Sequence, residues 1–281
     1  MRNLLITAVC LGALAPSLAA AAPTDEELKA RKAELDKKLK GQGFTVLVEA
    51  PFVVVGDEGP VAVKNRATGF LRWTVKLLEK DYFPKQPDKI IEVWLFGNEK
   101  TYRAGAKKYF NDEPDTPYGY YSPEKNALIM NVSGLGTLSH ELVHPYMEAN
   151  FPDVPSWFNE GLASLYEHPG ERKGHIIGHV NWRLPNLKKE IQAGTLPSLV
   201  KLVQTGREDF YNADWDAYAQ ARYLMYYLQE KGLLRTFYKE LRAHLKDDPS
   251  GYKTLVSVLG DPDMAAFKAE WEAWVAAIVP P

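Results

Sequence analysis

The sequence predicts an α+β fold, a mixed αβ N-terminal half followed by a helical C-terminal half. β-prone runs such as "FTVLVEA", "FVVVGDEG" and "KIIEVWLFG" lie before residue 133 and alternate there with helical patterns. Beyond that point helical periodicity dominates, as in "DWDAYAQARYLMYYLQEKG" and "GLLRTFYKELRAHLK". No repeat or low-complexity linker divides the 281 residues, a length suited to one substantial domain.

Residues 1–21 read as a secretory signal peptide. A positive start at Met1-Arg2 precedes the apolar run "LLITAVCLGALAPSLA" and a small-residue exit. Ala19 and Ala21 suit the positions before cleavage, which would leave Ala22 as the mature N-terminus. Cleavage one residue later would place Pro23 directly after the cut bond. Cys10, the sole cysteine, lies inside this segment, so the mature chain is expected to hold neither thiol nor disulfide.

Residues 22–42 predict a solvent-facing helix. Thr24 and Glu27 form a capping pattern, Leu28, Leu35 and Leu39 recur among charges, and Gly41 stops it. The main domain follows over 43–281, mixed to about residue 168 and helical over 169–281. In the mixed part "VAVKNRATGFLRWTVKLLEKDYF" and "NEKTYRAGAKKYF" read as helices, and "GYYSPEKNALIMNV" as a hairpin turning at "SPEKN".

Hydrophobic residues at 46%, charged residues at 25% and a formal charge of −2 give no field for nucleic acid or anionic lipid. No later segment approaches membrane-spanning length, so stable insertion after signal cleavage is not expected. The expected location is secreted or periplasmic.

The chemistry concentrates in "GTLSHELVHPYMEANFPDVPSWFNEGLASLYEH", residues 136–168. In "HELVH", His140 and His144 lie four residues apart, one turn along a helix and about 40° around it, so both imidazoles project from one face. Zinc takes imidazole nitrogen and carboxylate oxygen, and a catalytic site keeps one position open for water. Glu141 follows the first histidine and stands where a general base would. The expected third ligand is Glu160, on a helix begun by Pro155 whose core side carries Trp157, Phe158, Leu162 and Leu165. The loop "EANFPDVPS" is short enough to make the helices antiparallel neighbours, with Gly161 allowing close approach.

"HELVH" followed by "PSWFNEGLA" resembles the gluzincin metallopeptidases, in particular the peptidase MA-like group, over roughly residues 90–235. The family's Trp-x-x-Glu-Gly-x-Ala helix falls on Trp157, Glu160, Gly161 and Ala163. The resemblance implies a zincin-like domain holding one zinc per chain through His140, His144 and Glu160, with a peptide or protein as substrate. It also implies an edge strand above the metal helix that pairs with substrate, and "NALIMN", residues 126–131, stands in that place; an ordinary sheet edge is the alternative. In the thermolysin-type pattern an Asp one turn after the glutamate ligand orients a histidine. Here that residue is Ser164, which leaves the orienting partner open.

The resemblance makes Tyr218 the candidate oxyanion donor, with aromatic packing as the alternative reading. Arg222 would pair with a site carboxylate or extend outward. "GHIIGH" offers a second pair, His175 and His179, but glycines 174 and 178 disfavour a helix and no general base accompanies it. His168 and His244 read as surface residues. The expected function is a secreted zinc metallopeptidase; the alternative is a metal-binding module without turnover in envelope assembly or partner binding.

Overall fold

A computed structural model describes residues 21–279. Cys10 and all but the last residue of the expected signal peptide lie outside that range. The chain is α+β, as the sequence predicts. A five-stranded mixed sheet comprises β1 (Thr45–Glu49), β2 (Phe52–Gly56), β3 (Ile91–Phe96), β4 (Gly119–Ser122) and β5 (Ala127–Asn131), in the order β1-β2-β3-β5-β4. The β2–β3 and β3–β5 pairs are parallel, and the outer two are antiparallel hairpins.

Successive strand residues face opposite sides, and both sides are covered. Phe52, Val54, Val93, Leu95, Leu128 and Met130 join the larger core with the C-terminal helices. Val53, Val55, Trp94, Phe96, Ala127 and Ile129 face the smaller core. That second face is covered by α1 (Asp25–Lys38) and α4 (Glu99–Gly105) with the π-helical Ala106–Phe110. The expectation of a solvent-facing first helix is therefore corrected. Leu28, Leu35 and Leu39 are almost fully buried, since their spacing makes one stripe that seals the sheet.

On the other face, α2 (Pro60–Asn65), a π-helical turn (Arg66–Leu71) and α3 (Arg72–Asp81) lead to β3. The "HELVH" and "PSWFNEGLA" segments occupy α5 (Leu135–Asn150) and α6 (Ser156–Leu165). The connection is shorter than predicted, because α5 continues through Pro145 to Asn150. Pro155 caps α6 from outside its first turn.

The C-terminal half contains α7 (Leu184–Ala193), α8 (Leu199–Gln204), α9 (Arg207–Tyr211) and α10 (Ala217–Glu230). It closes with α11 (Leu234–His244), α12 (Tyr252–Val258) and α13 (Met264–Ala277). It opens with a feature that helical periodicity did not predict, a two-stranded sheet of β6 (Pro169–Arg172) and β7 (His175–Gly178). Lys173 and Gly174 turn between them at φ of 54° and 74°, a conformation that makes a tight hairpin. Gly161 serves a different neighbour from the one expected. A Cβ there would lie 3.2 Å from atoms of Ala221, so the glycine seats α6 on α10 rather than on α5. Among the described residues no helix is long and apolar enough to cross a membrane.

Candidate metal centre

Helix α5 reaches the site through its buried face, where Leu138, Leu142, Val143 and Met147 enter the core. Its first turn is fixed against the end of α6. Ser139 Oγ donates to the Tyr166 carbonyl at 2.5 Å, and a Cβ on Gly136 would meet the Glu167 carbonyl oxygen at 2.1 Å. Only glycine permits that approach, and it brings Glu167 to His140.

His140 and His144 then stand on one face with ring centroids 5.1 Å apart. From α6, Glu160 turns its carboxylate toward them at 5% exposure. Its Oε2 lies 3.3 Å from His140 Nε2 and 3.9 Å from His144 Nε2. One donor atom from each of the three residues falls within 4.8 Å of the others. Tetrahedral zinc with nitrogen at roughly 2.0–2.1 Å separates its donors by roughly 3.3 Å, so this triad fits a metal with little adjustment.

Each imidazole is also turned from behind. His144 Nδ1 donates to Asn159 Oδ1 at 3.2 Å, and His140 Nδ1 faces Glu167 Oε1 at 3.5 Å, a separation loose for a hydrogen bond. Both rings thus present Nε2 to the common point. Arg183 Nε and Nη2 hold the Glu167 carboxylate at 2.9 and 2.7 Å, and Asn181 Nδ2 adds a bond at 2.8 Å. Glu167 is thus the carboxylate behind His140, whereas the Ser164 hydroxyl is buried without a partner.

The electrostatics of the metal-free cluster follow from these contacts. Burial opposes the charged form of His140, but Glu160 and Glu167 outweigh it and hold the imidazole up at about 10. Burial raises Glu160 and Glu167, and the same contacts reverse it, holding each carboxyl at about 2; Tyr211 assists at Glu160 and Arg183 at Glu167. Arg183 balances the Glu167 charge, and Glu160 is the carboxylate that faces both histidines.

Glu141 is not part of the triad. Its Oε2 accepts the Tyr121 backbone N–H at 3.0 Å and lies 3.9 Å from His144 Nε2. Tyr121 belongs to β4, which corrects the expected edge strand. "NALIMN" forms the internal β5, paired on both sides, and β4 is the edge beside α5. Sequence alternation reads both strands of a hairpin alike and cannot tell which one lies outside.

Tyr218, in the first turn of α10, is half-buried and lines the cavity with His140 and Glu141. Burial and the Glu160 charge push its hydroxyl pKa up, so it remains a proton donor. A second tyrosine joins it that the sequence pattern does not mark. Tyr211 Oη donates to Glu160 Oε1 at 2.7 Å, and its ring lies 6.4 Å from that of Tyr218. The only local signal was the aromatic cluster "DFYNADWDAY".

Arg222 follows neither expected course. It is fully buried, with its guanidinium donating to the Ser164 and His179 carbonyls and lying 4.7 Å over the Tyr223 ring. The second histidine pair does not converge. His175 Nδ1 binds buried Asp81 at 2.6 Å, whereas exposed His179 lies 5.2 Å from the ring of exposed His168. His244 is exposed, as expected.

The stretch from the start of α5 to the turn after α11 has a counterpart elsewhere. Residues 134–248 match the model of a family described as a protein of unknown function, DUF1570. The match contains all three members of the triad, Glu141, Glu167 and both tyrosines. No curated protein matches the chain.

Proposed function

We propose that this chain is a gluzincin-type zinc metallopeptidase with a zincin-like fold. His140, His144 and Glu160 would hold one zinc, and Glu141 would act as general base. The observation that carries the reading is Glu141 itself: it lies beside the triad without joining it, and an edge-strand N–H fixes its carboxylate. A metal-binding module has no need of that residue.

Zinc bound there would polarise a peptide carbonyl and lower the pKa of a water. The chain's own groups do the rest. Glu141 Oε2 takes a proton from water and delivers it to the departing amine. Glu167 and Asn159 hold the imidazoles in orientation. Tyr211 is committed to Glu160, which leaves the Tyr218 hydroxyl as donor to a developing oxyanion.

Strand β4 supplies the substrate edge. Tyr118 O accepts from Asn131 N–H at 2.8 Å, so the alternate residues Gly119 and Tyr121 direct their backbone groups away from β5. Tyr121 N–H is taken by Glu141; the Gly119 groups and the Tyr121 carbonyl face outward for an extended peptide. Export through residues 1–21, to a secreted or periplasmic location, belongs to the same proposal. Intact mass of the exported protein should begin at Ala22, and an unprocessed membrane-bound chain would contradict it.

The test is incubation with a denatured mixture of proteins, with and without chelator. Cleavage that stops with chelator and returns with zinc is the expected result. Absence of cleavage over many substrates would leave a metal-binding module.

A further inference from the structure

The cavity around the triad, about 610 Å³, is one section of a longer trench. Toward the start of α5 it shares His140, Glu141 and Tyr218 with a second cavity of about 710 Å³. Toward the end of α5 it shares Tyr121, Glu148 and Pro152 with a third of about 580 Å³. Helix α5 forms the floor throughout, from Gly136 in one arm to Ala149 in the other. β4 runs along the same sections. Tyr118 and Gly119 border the first arm, and Tyr121 borders the central section and the far arm.

The arms differ in chemistry. The first is bounded by Tyr118 and Trp182, aromatic side chains 53% and 68% exposed, and its cation Arg183 is already bound to Glu167. The far arm carries Lys85 and Lys89 together with the acids Asp88 and Glu148. Extended chain advances about 3.4 Å per residue, so the five residues from Tyr118 to Ser122 run beside roughly 14 Å of substrate across the three sections.

A site that trims chain ends must close the trench on one side of the metal and hold a terminal amine or carboxylate there. This trench continues past the triad in both directions. We infer that it takes the middle of an extended polypeptide, so that interior bonds are presented to the metal, with a large apolar side chain seated between Tyr118 and Trp182. The inference rests on the peptidase reading and names its substrate class. Under the opposite arrangement a terminus would be captured by Glu148 or Arg207 of the central section or by Lys85, Asp88 or Lys89 of the far arm.

The probe is a ten-residue peptide with one central Phe, prepared with free termini and with both termini blocked. Binding is measured by fluorescence anisotropy on the zinc-loaded Glu141→Gln variant, which removes turnover, and products of wild type are identified by mass. The two forms should bind within roughly threefold of each other, and wild type should cut near the middle of the blocked peptide. Trp182→Ala, placed in the Glu141→Gln background, should weaken the ten-residue peptide roughly tenfold while leaving a truncated peptide that stops short of that arm unchanged. A need for a free terminus, release of single residues or dipeptides, or failure of both forms to bind would overturn the inference. Tight binding of the blocked peptide without cleavage by zinc-loaded wild type would uphold the open trench and reject the peptidase reading.

Discussion

The chain contains two histidine pairs with the same spacing, and they behave in opposite ways. His140 and His144 lie on a helix, where four residues return the side chain to the same face one turn along. Their Nε2 atoms meet at one carboxylate oxygen. His175 and His179 begin and follow a strand, where four residues advance the backbone about 13 Å. One finds Asp81 and the other lies beside His168. Spacing is therefore only half of a metal motif, and the backbone period supplies the other half. Gly174, at φ of 74° in the turn, lets β6 and β7 pair and so sets that period.

The contrast can be broken first at the ligands. His140→Ala should abolish stoichiometric metal binding, read as a fall from one zinc per chain toward zero by elemental analysis, because two remaining ligands make a poor site. A second zinc that survives this change would mean that the other pair also ligates. The next effect is at the orienting carboxylate. Glu167→Gln should weaken zinc roughly 10–100-fold in competition with a chelator, since the partner behind a ligating histidine fixes its ring and basicity. An unchanged affinity would show that the 3.5 Å contact to His140 does not tighten when metal binds.

Tyr211→Phe removes one hydrogen bond from Glu160 and should cost about 1 kcal/mol of zinc affinity, a several-fold change. Loss of hydrolysis with full metal affinity would instead make Tyr211, not Tyr218, the oxyanion donor. The smallest effect on metal belongs to the second pair. His175→Asn should leave the zinc ratio at one and lower thermal stability modestly, because buried Asp81 keeps its Ile176 N–H bond at 2.9 Å but loses the imidazole.

Most of the ligand geometry was legible because it is local. "HELVH" and "WFNEGLA" each fix a helical face, and a short connection brings the faces together. The charges of α1 outnumber its leucines and suggest exposure, although Leu28, Leu35 and the capping Leu39 suffice to cover a sheet. Glu167 was not legible. It acts only because Gly136 lets α5 approach the end of α6 and because Arg183, sixteen residues on, turns its carboxylate. Tyr211 reaches Glu160 across 51 residues of sequence, and Arg222 finds two carbonyls rather than an acid. Such partners depend on how α5, α9 and α10 pack around α6, and no periodicity records that.

The central claim assigns two neighbouring glutamates to different tasks, and one paired measurement separates them. Zinc content and peptide hydrolysis are determined together for Glu141→Gln and Glu160→Gln. The account predicts near-normal zinc in Glu141→Gln with hydrolysis lower by roughly two to four orders of magnitude. It predicts weakened zinc in Glu160→Gln, with activity partly restored as zinc is raised. Loss of zinc from Glu141→Gln with retention in Glu160→Gln would reverse the roles, and unchanged hydrolysis in both would place the catalytic centre elsewhere.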